Sequence, residues 1–206
     1  MATATFYPSY DGFVEYAVDL KTCIVFIGRN TTSATMRLLS GLGSIMVPDS
    51  GVRDRGFIDF DISGITVANI TKVELKISVS QTESCGDMSE FVDIGSLSQK
   101  AVLYANTEEG NTALWGDCGG AEYLSNQSMP DQQDVNTEYT VDLGAQAVTD
   151  IKAQSTWFSV SIMLNPETIE TATYKYIVAS ETTGTTWDPK LVVTYSSAAR
   201  RRILGG

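Results

Sequence analysis

The sequence has no histidine in its 206 residues. That removes Ser-His-Asp and Cys-His catalysis and the commonest nitrogen ligand of zinc. Cysteine is scarce too: Cys23, Cys85 and Cys118 lack the close pairing of a zinc site. Cys23 lies in the apolar run Cys23-Ile24-Val25-Phe26-Ile27, where a thiol behaves as a small buried hydrophobe. Cys85 and Cys118 sit in Gly- and Asp-bearing loops and would bond only if the fold joined those loops. No apolar run approaches the roughly 18 residues of a membrane span. Residues 1–20 show no basic start, apolar centre and small-residue cleavage site. The expectation is a product made and kept in a cytoplasm, leaving only by lysis, and the sequons at Asn30, Asn69 and Asn126 are then chance matches. Positive charge is in deficit, with 14 Lys and Arg against 25 Asp and Glu, a net charge of −11. Nucleic acid and acidic membranes are attracted by basic surfaces, so neither is an expected partner. Gly41-Leu42-Gly43 is followed by neither a dinucleotide-type nor a Walker-type pattern.

What the sequence has is alternation. Val73, Leu75, Ile77 and Val79 take one parity while Lys72, Glu74, Lys76 and Ser78 take the other, so a strand there has one dry and one wet face. In residues 55–62, Ile58, Phe60 and Ile62 point inward, leaving Asp59 and Asp61 together on the opposite face. Leu191, Val193 and Tyr195 share a parity, with Pro189 at the strand entrance where a missing N–H is tolerated. Tyr139, Val141 and Leu143 alternate, as do Phe158, Val160, Ile162 and Leu164. The predicted core therefore includes Ile58, Phe60, Val73, Leu75, Ile77, Phe158, Val160, Leu191 and Val193.

Shorter runs complete the outline. Residues 3–8 and 13–16 read as strands flanking an Asp11-Gly12 turn, 23–27 and 174–179 as strands, and 36–39 as a strand or one helical turn. Pro48-Asp49-Ser50-Gly51 has turn chemistry. Val148 and Ile151 space one or two helical turns over residues 145–152. Residues 81–134 are a specialised, loop-rich segment with short apolar runs at 91–94 and 101–104. Loops that long are uncommon in a compact domain and are often functional. Many short strands with almost no helix predict an all-β sandwich, one domain over residues 1–195. Residues 196–206 form a basic-apolar C-terminal arm: Arg200, Arg201 and Arg202 precede Ile203 and Leu204.

Four segments carry a resemblance: Tyr7-Pro8-Ser9-Tyr10-Asp11-Gly12-Phe13-Val14, the R-G-F-x-x-F-D-x-S run from Arg55 to Ser63, the I-T-x-V-x-L-x-I strand from Ile70 to Ile77, and the ending Trp187-Asp188-Pro189-Lys190-Leu191-Val192-Val193-Thr194-Tyr195. They resemble the disaggregatase-related (DNRLRE-type) jelly-roll domains, in the form found as stand-alone phage virion proteins. The resemblance implies a jelly-roll β-sandwich with a binding or structural role and brings no catalytic residues. Residues 85–135 align with nothing in it.

Three constellations bear on chemistry. Asp59 and Asp61 would lie roughly 7 Å apart between Cα atoms on one strand face. That spacing suits a carboxylate-pair glycosidase, but also acids simply paired with Arg53, Arg55, Lys72 or Lys76. The loops around Asp87, Glu90, Asp93, Asp117, Asp131 and Asp134 have oxygen chemistry suited to calcium, without the spacing of a known loop. No other cofactor is expected. Trp115 and Tyr123, in polar surroundings, are candidates for glycan or partner contact, whereas Trp157 and Trp187 read as core or rim. The expected function is non-enzymatic: a virion structural protein, assembled in the host cytoplasm, that decorates a phage capsid. Its partners would be the major capsid protein and copies of itself in a homo-oligomer, with residues 200–204 as the tying arm. The alternatives are a glycan-binding module of a tail fibre or adhesin and, more remotely, the glycosidase.

Overall fold

A computed structural model describes residues 1–19, 25–32, 35–44, 47–65, 69–84, 91–128, 138–154, 156–165, 173–178 and 186–196. Twelve strands among them form two antiparallel sheets packed face to face. The first sheet has the order β1 (Ala2–Phe6), β12 (Lys190–Tyr195), β6 (Ile70–Ser84), β9 (Glu138–Asp142). The second is centred on β5 (Val47–Asp61). One flank of β5 pairs with β2 (Pro8–Asp19), which pairs in turn with β3 (Val25–Asn30). Its other flank pairs with β4 (Thr35–Ser44) over its first half and with β10 (Trp157–Asn165) over its second. Outward from β10 lie β7 (Phe91–Ser96) and β8 (Leu124–Ser128). Strand β11 (Thr173–Val178) links β4 to the far end of β6, so β6 serves both sheets.

The alternation forecast the core correctly. All nine predicted core residues are fully buried between the sheets. Helix α2 (Gly144–Gln154) adds Ala147 and Ile151 to that core and extends the predicted one or two turns. Fully burying a side chain such as Phe60 or Leu75 contributes about 1.5–3 kcal/mol relative to leaving it exposed, so this layer dominates folding.

Two predicted turns are instead strand. Asp11 and Gly12 lie inside β2, paired with Ile58 and Phe57, and glycine is needed there because the neighbouring strand β3 ends beside it: a Cβ at Gly12 would collide with the Asn30 carbonyl oxygen. Pro48 to Gly51 lie inside β5, since Ser44 already pairs with Val47 and the reversal falls before Pro48. Residues 36–39 are strand, within β4.

The largest departure is in the loop-rich segment. Between β7 and β8 the chain forms a 3-10 turn (Ala101–Leu103) and helix α1 (Glu108–Asp117), so the expectation of almost no helix is corrected. Both lie on the outer face of the second sheet. They give it a second core of Val14, Phe57, Leu97, Ala101, Leu114 and Cys118.

Candidate functional site

The segment from Leu97 to Tyr123 is a lid on that outer face, and its residues explain why it folds there. Thr107 caps α1 by accepting from the Gly110 N–H at 3.2 Å, and Glu108 and Glu109 favour the positive end of the helix dipole. Leu114 and Cys118, one turn apart, face the sheet. The first turn of α1 presses so closely on the preceding chain that a Cβ at Gly110 would collide with the Ala105 carbonyl oxygen.

The 3-10 turn is clamped from below. Asp59, 1% exposed, accepts from the Ala101 N–H at 2.9 Å and the Val102 N–H at 3.1 Å, and Ser159 Oγ donates to it at 2.6 Å. Burial pushes the Asp59 carboxyl above its usual value; the Ser159 hydroxyl and the two backbone amides partly offset that rise. Arg29 donates to the carbonyls of Ala101 at 3.2 Å and Tyr104 at 3.1 Å. Tyr104 donates its hydroxyl to Asp117 at 2.6 Å, and Asp117 also accepts from the Ser98 N–H at 2.8 Å. Burial, with Asp117 beside it, pushes the Tyr104 hydroxyl up to about 12. So held, the turn presents two aliphatic side chains to solvent, Val102 at 50% and Leu103 at 64% exposure.

The geometry corrects the acidic pair. Asp59 and Asp61 do share a face, but the lid covers Asp59 while Asp61 stays exposed, accepting from the Ser63 N–H at 2.9 Å. The Ser63 hydroxyl, and after it the Ser63 amide, hold the Asp61 carboxyl below its usual value. Three of the predicted cation partners are engaged elsewhere. Arg55 stands 4.1 Å over the Trp115 ring and donates to the Trp115 carbonyl at 2.8 Å. Lys72 pairs with Glu74 at 2.6 Å, and Lys76 pairs with Glu138 at 2.7 Å. Glu138 also binds Lys190 at 2.6 Å, completing a ladder on the outer face of the first sheet. Burial raises the Glu138 carboxyl, but the two lysines together outweigh that and hold it below its usual value.

The aromatic candidates are committed to packing. Tyr123, 9% exposed, stacks on Phe158 at 5.6 Å and donates to Asp150 at 3.0 Å, so its expected surface role is corrected. Burial, with Asp150 nearby, raises its hydroxyl. Trp115 is half-buried, stacked on Tyr16 at 5.4 Å beneath Arg55. Trp157 and Trp187 are half-buried, as a rim position requires.

Of the calcium candidates, Asp93 accepts from the Asn126 N–H, Ser125 Oγ and Asn165 Nδ2 at 2.7–3.0 Å, and Asp117 is held as described. Both act as loop ties in different places. Among the described residues no group of three or more acidic or cysteine side chains is placed to hold a metal ion. Asp87, Glu90, Asp131, Asp134, Cys23, Cys85 and the arm residues Arg200, Arg201, Arg202, Ile203 and Leu204 lie outside the described residues. Any bond between Cys85 and Cys118 therefore lies outside them too, and Cys118 itself is buried between the lid and the sheet. Among the described helices none is long and apolar enough to cross a membrane.

Sequence reasoning missed the lid and the role of Asp59 in it. The available signal was a cap rather than a period: Thr107 followed by Glu108 and Glu109 is a helix start, whereas Gly110, Asn111 and Gly116 erase the apolar stripe. No family model matches the chain, and no curated protein matches it.

Proposed function

We propose that the chain is a non-enzymatic structural protein of a virion, a decoration (cement) protein that binds the outer surface of a phage capsid and bridges subunits. A jelly-roll winding of the sandwich goes with this reading. So do assembly in the host cytoplasm, and the major capsid protein and further copies of the chain as partners. The observation that carries it is the use of Asp59. The acid a carboxylate-pair mechanism would need is a buried acceptor for Ala101 and Val102, and what it holds in place is an outward-facing apolar turn. A carboxyl whose oxygens are occupied by two amides and a hydroxyl is poorly placed to exchange protons with a substrate. A rigid, solvent-facing aliphatic pair suits a protein contact. The net charge of −11 and the four segments resembling stand-alone virion proteins support the same reading. The glycan-binding alternative loses support, because Tyr123 is in the core and Trp115 is stacked.

The test is rebinding. Particles assembled without this chain are mixed with the purified protein and sedimented. Saturable, stoichiometric co-sedimentation and a raised disruption temperature are expected, since a ligand of the assembled state stabilises it by mass action. Protein left in the supernatant at every concentration would overturn the proposal.

A further inference from the structure

A sheet edge carries a row of unpaired backbone N–H and C=O groups, a template for another chain, and native folds guard it with charge, proline, a bulge or a cover. Among the described strands four stand at edges: β1 and β9 in the first sheet, β3 and β8 in the second. Three of them are guarded. Strand β9 begins at Glu138 and ends at Asp142. Strand β3 carries Arg29, which is bonded to the lid turn. Strand β8 is broken by a left-handed residue, Asn126 at φ 55°, and by a register shift against β7. Strand β1 has none of these devices. Ala2-Thr3-Ala4-Thr5-Phe6 pairs with β12 through all five residues without a shift, and contains no charge, proline or glycine.

The geometry points to a second copy as the occupant of this edge, its β1 pairing antiparallel with the first about a twofold axis at Ala4. The strand is self-complementary in that register, the one that joins all five residues. On the exposed face Thr3 falls opposite the partner's Thr5, a hydroxyl pair of the kind that stabilises cross-strand contacts. On the inner face Phe6, packed against the central core, falls opposite the partner's Ala2, so large meets small. Tyr7, 59% exposed just past the strand, then reaches the start of the partner's β1. Charge favours the same choice. Copies of a chain with net charge −11 repel one another, and along this edge the strand behind β1 offers Val192 and Thr194 rather than acids. Such a contact uses the same patch on both copies and closes on itself, joining two first sheets into one. It is a different surface from the lid and needs no capsid.

Sedimentation velocity of the whole chain, without particles, tests the pairing, so its failure is distinguishable from failure of particle rebinding. A five-residue edge is smaller than a standard interface, so self-association with a Kd on the order of 0.1 mM is expected. Thr3→Lys with Thr5→Lys sets like charges opposite each other across the axis and should weaken association about tenfold or more. Thr3→Glu with Thr5→Lys sets opposite charges across the same axis and should tighten it about threefold or more. Both positions are exposed, and thermal melting of dilute samples, unchanged from the parent, verifies that the variants fold. A chain still monomeric at about 1 mM, a like-charge variant that associates as the parent does, or an opposite-charge variant that gains nothing would overturn the inference.

Discussion

The two sheets have the same strand alternation and opposite outer faces. On the first, Lys72, Glu74 and Lys76 stand half-exposed, Lys72 paired with Glu74 and Lys76 sharing Glu138 with Lys190 in a ladder. On the second, the corresponding positions Phe57, Asp59, Ser159 and Ser161 are buried, Phe57 packing with Leu97, Ala101 and Leu114 and Asp59 holding the 3-10 turn. Parity alone marks both faces as polar. The difference lies in what covers them, and it decides the chemistry: a carboxylate in the ladder is held low by two lysines, and a carboxylate under the lid is raised by burial.

The comparison can be broken by truncating its apolar half. If the lid makes a real second core, Phe57→Ala should cost about 3–5 kcal/mol, as much as Phe60→Ala in the central core. Urea titration reads both, and a near-zero value for Phe57 would return the outer face to solvent. Leu75→Ala, under the ladder, should cost about 2–5 kcal/mol for the same reason, and a negligible cost would mean reversed strand parity.

Next in size is the clamp. Asp59→Ala leaves the buried Ala101 amide without its acceptor, a cost of about 1–3 kcal/mol, while the part-buried Val102 amide can turn to water. Asp59→Asn keeps an acceptor and should cost less. Glycosidase activity that disappears with either substitution would contradict the structural role.

The pH dependence sharpens the contrast, because the two carboxyls contribute with opposite signs. Glu138 has a folded value below 4.5, so its contribution is present above 4.5 and is lost as pH falls through the folded value. Asp59 has a folded value above 3.8. The folded state binds its proton more tightly, so Asp59 adds stability as pH falls through that folded value, levelling off near 3.8. Chemical denaturation across this range should show a flatter acid limb for Glu138→Gln and a steeper acid loss for Asp59→Asn, each against the parent. Parallel curves would remove the electrostatic distinction between the faces. The smallest effect is Glu138→Gln at neutral pH, about 1 kcal/mol for two partly exposed pairs, shrinking with added salt.

The sandwich core was legible because strand parity is a local property: Val73, Leu75 and Ile77 declare their face within five residues. The fate of the opposite parity is not local. Asp59 reads as wet because the Ala101 and Val102 amides that cover it lie more than forty positions away. Helix α1 escaped for a related reason. Two glycines and a buried asparagine blur its apolar stripe, and tertiary contact rather than propensity holds it in place. Gly12 looked like a turn residue, yet its glycine is required by the passing Asn30 carbonyl, a contact the sequence around Gly12 does not encode.

Amide hydrogen exchange tests the lid most directly, residue by residue. In the parent protein the Ala101 and Val102 amides should exchange as slowly as those of β5. In Asp59→Ala they should lose protection selectively while the β6 amides stay unchanged. Fast exchange at Ala101 and Val102 in the parent, or no response to the substitution, would contradict a lid held by Asp59.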